Sequence, residues 1–124
     1  MKRKVVILLA LIMTVGLTSR CSKKKKGSDK STLTVQTIVE TSSGEDLRTS
    51  GVHVHLFKET EDDDIYIGSD DTDSDGVATF RNLDPGDYII EAEYEQIGEY
   101  RYGEKYTSIG KNENKEVTVR LDRN

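Results

Sequence analysis

The chain has 124 residues, with 18 Lys and Arg, 23 Asp and Glu, no tryptophan and a single cysteine. This length suits one small domain, and one cysteine cannot form an internal disulfide. The charge is unevenly distributed, because residues 33–124 contain nine basic and 22 acidic side chains, a net charge of −13. Nucleic acid is excluded as a partner, since phosphate binding depends on Lys and Arg. Cations or basic partners suit such a domain better.

The first 21 residues have the layout of an export signal. Basic residues at positions 2–4 precede an apolar run at residues 5–17. This run is too short to span a bilayer stably and is typical of a signal-peptide core. The segment ends at Cys21 and resembles a bacterial lipoprotein signal peptide, in which the cysteine becomes the lipidated first residue, although Arg20 replaces the usual small side chain. The alternatives are an ordinary secretory signal or an uncleaved anchor.

Residues 22–32 contain no apolar side chain, so they are predicted to form a flexible tether. Lys23–Lys26 would lie beside the lipid, where each lysine contributes about 1 kcal/mol of attraction to an anionic surface. We therefore expect an exported lipoprotein of the bacterial envelope, at the outer membrane or cell surface rather than the inner membrane. Its expected partners are the membrane, through the lipid anchor, and an envelope protein or glycan.

The remainder, residues 33–124, alternates between apolar and polar side chains, which is typical of β-strands. The alternating runs begin near residues 33, 52, 65, 78, 88, 100 and 117. Turn residues separate the runs, and Pro85-Gly86 favours a tight turn between the fourth and the fifth. Seven short strands of this kind predict an all-β, seven-stranded β-sandwich.

The segment TDSDGVATFRNLDPGDYIIEA, residues 72–92, resembles the signature of carboxypeptidase regulatory-like and collagen-adhesin B-type modules. That signature has a T-D-x-x-G turn before a short strand, and an N-L-x-P-G-x-Y corner before a long one. The matching residues are Thr72, Asp73, Gly76, Phe80, Asn82, Leu83, Pro85, Gly86 and Tyr88. The resemblance implies a prealbumin-like (transthyretin-like) domain over residues 33–124. It also implies a non-enzymatic role as a stalk, spacer or binding module.

An acidic loop within that segment has the spacing of a calcium-binding loop. The candidate calcium ligands are Asp71, Asp73, Asp75, Thr79 and Asn82, at positions 1, 3, 5, 9 and 12 of an EF-hand-type loop. Gly76 falls at position 6, as that loop requires, but Asn82 is neutral where a bidentate glutamate is usual. The loop is also flanked by predicted strands rather than helices. The competing interpretation is a solvated hairpin, in which Asp and Gly form the turn.

Two further groups of side chains could bind a ligand. His53 and His55 share one face of a predicted strand, a spacing that holds zinc when a third ligand is near, although two solvent-facing histidines are the simpler interpretation. Four tyrosines form the second group: Tyr94, Tyr100, Tyr102 and Tyr106. They either pack across strands or form an exposed surface for sugar rings or partner proteins.

The sequence contains no nucleophile motif, no phosphate-binding loop and no evident acid–base pair, so we predict a protein that is not an enzyme. A metal-dependent hydrolase at His53 and His55 is a weaker alternative, as is a transthyretin-like hydrolase. The tyrosine-arginine-glycine-serine tail of the latter family is missing, because this chain ends Leu121-Asp122-Arg123-Asn124.

Overall fold

The structure is a computed structural model that describes residues 29–96 and 98–123. The signal segment, Cys21 and the lysine run of the tether lie outside these residues. The strands are β1 (Ser31–Glu40), β2 (Asp46–Leu47), β3 (His53–Glu59), β4 (Asp64–Asp71), β5 (Val77–Leu83), β6 (Gly86–Gln96), β7 (Glu99–Ile109) and β8 (Asn114–Arg123). Within the described ranges, no helix is long and apolar enough to cross a membrane.

Seven of these strands match the predicted runs, and the all-β prediction is confirmed. The additional strand, β2, has only two residues, which pair with Val39 and Glu40 of β1. Sequence alternation does not predict it, because two residues between turn-forming neighbours carry no alternation. The first strand begins at Ser31, so the last residues of the segment predicted as tether belong to β1.

The strands form two sheets that pack face to face. In sheet 1, β1 is central: it pairs in parallel with β8 and, along its other edge, antiparallel with β5 and β2. In sheet 2, antiparallel pairs give the order β4-β3-β6-β7. The sheets meet where Arg101 and Tyr102 of β7 pair with the end of β8. This is the predicted β-sandwich, with one core between the sheets.

The core consists of the inward-facing set of each strand. Its members are Leu33, Val35, Val39, Val52, Val54, Leu56, Ala78, Phe80, Leu83, Tyr88, Ile90, Ala92, Ile109, Val119 and Leu121. The alternation predicted for β6 is confirmed, since Tyr88, Ile90 and Ala92 are almost completely buried. Burial of such apolar surface contributes about 25 cal/mol per Å² and is the main force holding the two sheets together.

The two ends of the sandwich can be told apart by β1. At its start, the Ser31 hydroxyl donates to the Gly110 carbonyl at 2.6 Å; we call this the proximal end, because the chain enters there. At the finish of β1, Arg101 Nε donates to the Glu40 carbonyl at 2.6 Å; we call this the distal end. Arg101 is 5% exposed and joins the two sheets there.

Strands β7 and β8 approach each other most closely at Gly103. A Cβ atom at this position would lie 2.2 Å from the Arg120 carbonyl oxygen and 3.0 Å from Val119 Cγ1. No side chain can occupy that space unless the backbone moves. Gly103 is therefore required by the crossing of the two sheets, not by its own backbone conformation.

Replacing Gly103 with alanine should lower the free energy of unfolding by about 2 kcal/mol, because the new methyl group overpacks the crossing. Urea denaturation followed by circular dichroism measures this change. Gly68→Ala in β4 is the matched control, since a Cβ there meets no atom within 4 Å, and we expect a change within about 0.5 kcal/mol. Equal midpoints for the two variants would contradict the close approach.

Candidate ligand-binding face

One side of sheet 2 faces away from the core, and its side chains follow from the cross-strand register. The aromatic members are Phe57, Tyr66, Tyr100, Tyr102 and Tyr106. The acidic members are Glu59, Asp64, Asp71, Asp87, Glu91, Glu93, Glu95 and Glu104. We call this surface the outer face. The sequence left open whether these tyrosines pack or are exposed, and the structure places three of the four predicted ones here.

The outer face has no lysine or arginine among the described strand residues of sheet 2. The basic residues of these four strands are Lys58, Arg101 and Lys105. Lys58 and Lys105 pair with Tyr88 and Ile90, which point into the core, so both belong to the inner side. Arg101 is buried at the distal end. The acidic excess of the domain is thus concentrated on this surface without basic neighbours in its own strands.

The half of the outer face near the proximal end is an aromatic cluster. Ile89 lies between Phe57 and Tyr106 on the neighbouring strands and is only 5% exposed, although it points away from the core. The rings of Phe57 and Tyr66 have centroids 5.5 Å apart. Tyr66 and Tyr106 remain more than half exposed, so this cluster presents aromatic rings to solvent while shielding one isoleucine.

The half near the distal end combines tyrosines with carboxylates. Tyr100 and Tyr102 lie directly opposite Glu95 and Glu93 of β6, and the Tyr100 hydroxyl donates to Glu93 Oε1 at 3.2 Å. Both rings are more than a third exposed. An open cleft of about 550 Å³ is lined by His53, Glu93, Glu95, Gln96 and Gly98. The two carboxylates that lie opposite the tyrosines therefore also border open space.

The pKa values of the β7 tyrosines reflect the negative charge of the outer face. Partial burial, together with the carboxylates of Glu91 and Glu104, raises the pKa of Tyr102 to about 12. The Glu104 carboxylate also raises the pKa of Tyr106 above its usual value. Nearby negative charges disfavour phenolate, so these hydroxyls stay protonated and can donate hydrogen bonds at neutral pH.

Two glutamates on this face directly oppose one another. Glu91 of β6 and Glu104 of β7 are cross-strand partners, and neither forms an ion pair with a described residue. Like charges at directly opposed positions destabilise a sheet. The outer face thus contains a like-charge repulsion that does not stabilise the sheet.

Neutralising one member of this pair should stabilise the protein. We expect Glu104→Gln to raise the free energy of unfolding by about 0.5 kcal/mol, measured by urea denaturation at neutral pH. Glu116→Gln is the control, because Glu116 is also exposed but lies beside Thr34 of β1 rather than another acid. A loss of stability in Glu104→Gln would show that the pair is not repulsive.

The two histidines lie on the outer face, as in the simpler of the two sequence interpretations. His53 Nδ1 is 2.6 Å from Asp71 Oδ1, and His55 Nε2 is 3.1 Å from Glu93 Oε2. Each histidine therefore has its own carboxylate partner. In residues 29–96 and 98–123, no three His, Cys, Asp or Glu side chains are grouped closely enough to hold a metal ion.

Of the predicted calcium ligands, Asp71, Asp73 and Asp75 lie at the turn between β4 and β5, whereas Thr79 and Asn82 lie farther along β5. Asp73 Oδ1 accepts hydrogen bonds from the backbone N–H groups of Asp75 and Val77, so it closes the turn between β4 and β5. Asp71 faces His53, and Asn82 lies next to Leu83, which pairs with Ser31 at the proximal end. An EF-hand loop curls around its ion, whereas β5 is extended. Calcium binding itself stays a prediction.

Comparison with known proteins finds solved structures with a similar fold but no protein with a similar sequence. No protein-family model matches this chain, and no curated protein is detectably similar to it. Solved structures do match. The minor pilin of the Gram-positive pathogen Streptococcus agalactiae superposes with a TM-score of 0.55 at 18% identity over 77% of this chain. The backbone protein of group B streptococcus pilus 2b gives 0.52 at 16% identity over 74% of it.

A third structure is closer in length. A Pseudomonas aeruginosa protein, provisionally described as carbohydrate binding, superposes with a TM-score of 0.55 at 12% identity. The match covers 77% of this chain and 90% of that one, whereas the chain spans only 45% and 40% of the two pilus proteins. At such identities the likeness shows the fold alone. This chain therefore has the β-sandwich fold seen in pilus proteins.

Proposed function

We propose that this protein is a non-enzymatic binding module of the cell surface that holds a glycan against the outer face of sheet 2. The observation that carries the proposal is the set of exposed tyrosines on one face of sheet 2, with carboxylates between them. Aromatic rings offer apolar faces to the C–H side of a sugar ring, and carboxylates accept hydrogen bonds from its hydroxyls. The Pseudomonas neighbour, provisionally described as carbohydrate binding, has a similar sandwich and supports this choice.

A binding role also fits what surrounds the rings. The protonated phenols of Tyr100 and Tyr102 can donate hydrogen bonds to a ligand but do not act as bases at neutral pH. The cleft lined by Glu93 and Glu95 is open to solvent, with no enclosed space that would exclude water from a reaction. Two of the structural neighbours are pilus components, which favours a surface role without catalysis.

Display at the membrane is the second part of the proposal. A lipid on Cys21 would be separated from Ser31 by ten residues, a reach of at most about 36 Å. The chain enters the sandwich at the proximal end, so this end would face the membrane and the cleft lined by Glu93 and Glu95 would face outward. Lys23–Lys26 would then lie near the lipid headgroups, where their charge adds attraction.

Removing the rings opposite Glu93 and Glu95 should weaken glycan binding. We expect Tyr100→Ala and Tyr102→Ala each to raise the Kd about fivefold, which corresponds to about 1 kcal/mol per stacked ring. A panel of immobilised oligosaccharides identifies a ligand, and calorimetry gives its Kd. Leu47→Ala is the control, since Leu47 is an exposed apolar residue of sheet 1. A protein that retains no glycan, or tyrosine variants that bind like the wild type, would refute the proposal.

The anchor is tested separately in the native host. We expect the protein to fractionate with membranes and its mature N-terminus to be a lipid-modified Cys21 by mass spectrometry. Cys21→Ser should release it into the soluble envelope fraction, because the tether lysines alone bind a surface only weakly and in a salt-dependent way. A mature chain that starts elsewhere and carries an unmodified Cys21 would rule out the anchor.

A further inference from the structure

Resting on the proposed function, we propose that the bound glycan is cationic: it carries free amino groups, and its ammonium groups lie over the distal half of the outer face. A neutral glycan would use the tyrosine rings but leave the surrounding negative charge uncompensated. An amino sugar would stack on the tyrosine rings and also compensate the negative charge of the carboxylates. The ligand class is therefore a glucosamine-type oligosaccharide in which the amines are not acetylated.

The first argument is charge complementarity. The outer face carries eight carboxylates by register, and the strands that form it contribute no lysine or arginine to that side. Only Asp71 and Glu93 have a partner that can become positive, namely His53 and His55. Glu91, Glu95 and Glu104 form no ion pair within the described part of the chain. A positively charged ligand is the natural partner for these three.

The second argument is the arrangement of rings and acids. Tyr100 and Tyr102 stand directly across from Glu95 and Glu93, so an ammonium group placed between the two strands meets a carboxylate and a ring face together. A cation within about 6 Å of an aromatic centroid is attracted by the ring as well as by the charge. This arrangement favours an amine over a hydroxyl. A hydroxyl gains only a hydrogen bond from the carboxylate, whereas an ammonium group is also attracted by its charge.

The third argument is the opposed pair of Glu91 and Glu104. Their repulsion persists in the free protein and is removed when a cation lies between them. Carboxylates at every second residue of β6 are spaced about 7 Å apart, and Glu91, Glu93 and Glu95 form such a row. An extended chain with amines at regular intervals can contact several of them at once.

The test compares three hexasaccharides that differ in one substituent: glucosamine, N-acetylglucosamine and glucose hexamers. The full-length protein is purified in detergent, and Kd values are measured by calorimetry in a buffer that keeps the amines protonated. We expect the glucosamine hexamer to bind about tenfold more tightly than either neutral hexamer. Equal binding of all three would overturn the amine inference and leave the glycan proposal intact.

A lysine hexapeptide distinguishes charge from sugar. With its N-terminus acetylated and its C-terminus amidated, it carries the same six amines but no ring to stack on tyrosine, so we expect it to bind more weakly than the glucosamine hexamer. Peptide binding as tight as that of the amino sugar, or binding of the peptide alone, would overturn both this inference and the glycan proposal. Failure of all four probes to bind would overturn the amine inference, whereas the oligosaccharide panel alone decides the glycan proposal.

Two variants assign the preference to the outer face. We expect Glu95→Gln and Glu104→Gln each to reduce the tenfold preference for amines to about threefold, measured as the ratio of the Kd of the neutral hexamers to that of the glucosamine hexamer. Glu95 makes no side-chain hydrogen bond with another described residue, and Glu104→Gln should stabilise the fold, so both variants are expected to fold normally. Glu116→Gln, on the other sheet, should keep the full preference. An unchanged preference in both outer-face variants would overturn the assignment.

Discussion

The parallel pairing of the first and last strands is the constraint on which the rest of the fold depends. Residues 32–39 of β1 pair one to one with residues 114–121 of β8, so the two ends of the domain must meet before sheet 1 exists. Closing a loop of this length costs conformational entropy, and such distant contacts form late in folding. Once formed, they fix β1 at the centre of sheet 1 and leave one edge for β5 and β2.

The same pairing determines what sheet 2 can present to solvent. Strand β8 crosses β7 so closely that Gly103 has no room for a side chain, and Arg101 must turn inward to reach the Glu40 carbonyl of β1. Since side chains alternate along a strand, Tyr100, Tyr102 and Glu104 are forced onto the outer face. A slip of one residue would exchange the two sets. The aromatic and acidic surface is thus fixed by contacts on the opposite side of its own strand.

This dependence explains how far sequence could predict the molecule. The alternation of apolar and polar residues predicted seven strands, and it also predicted the inward-facing residues of β6, because those residues are apolar. It could not orient β7, where the inward positions include Arg101, Gly103 and Lys105, none of which looks like a core residue. The two residues of β2 carry no alternation, so their pairing with β1 could not be predicted from sequence. The composition indicated an acidic domain, but only the cross-strand register concentrates the acids and tyrosines on one face.

Stability and recognition make opposite demands on the two sides of sheet 2. The inner side is mostly apolar where it meets sheet 1, with Arg101 as a buried exception, and burial of the apolar surface there favours folding. The outer side sets Glu91 against Glu104 and places no lysine nearby, although Lys58 and Lys105 occur in the same strands on the inner side. A basic residue on the outer side would relieve the repulsion permanently, but it would also occupy the place of a cationic ligand. Residues that break a local rule without a structural gain tend to mark functional sites, and this is why the proposed ligand is inferred from the unpaired acids together with the tyrosines.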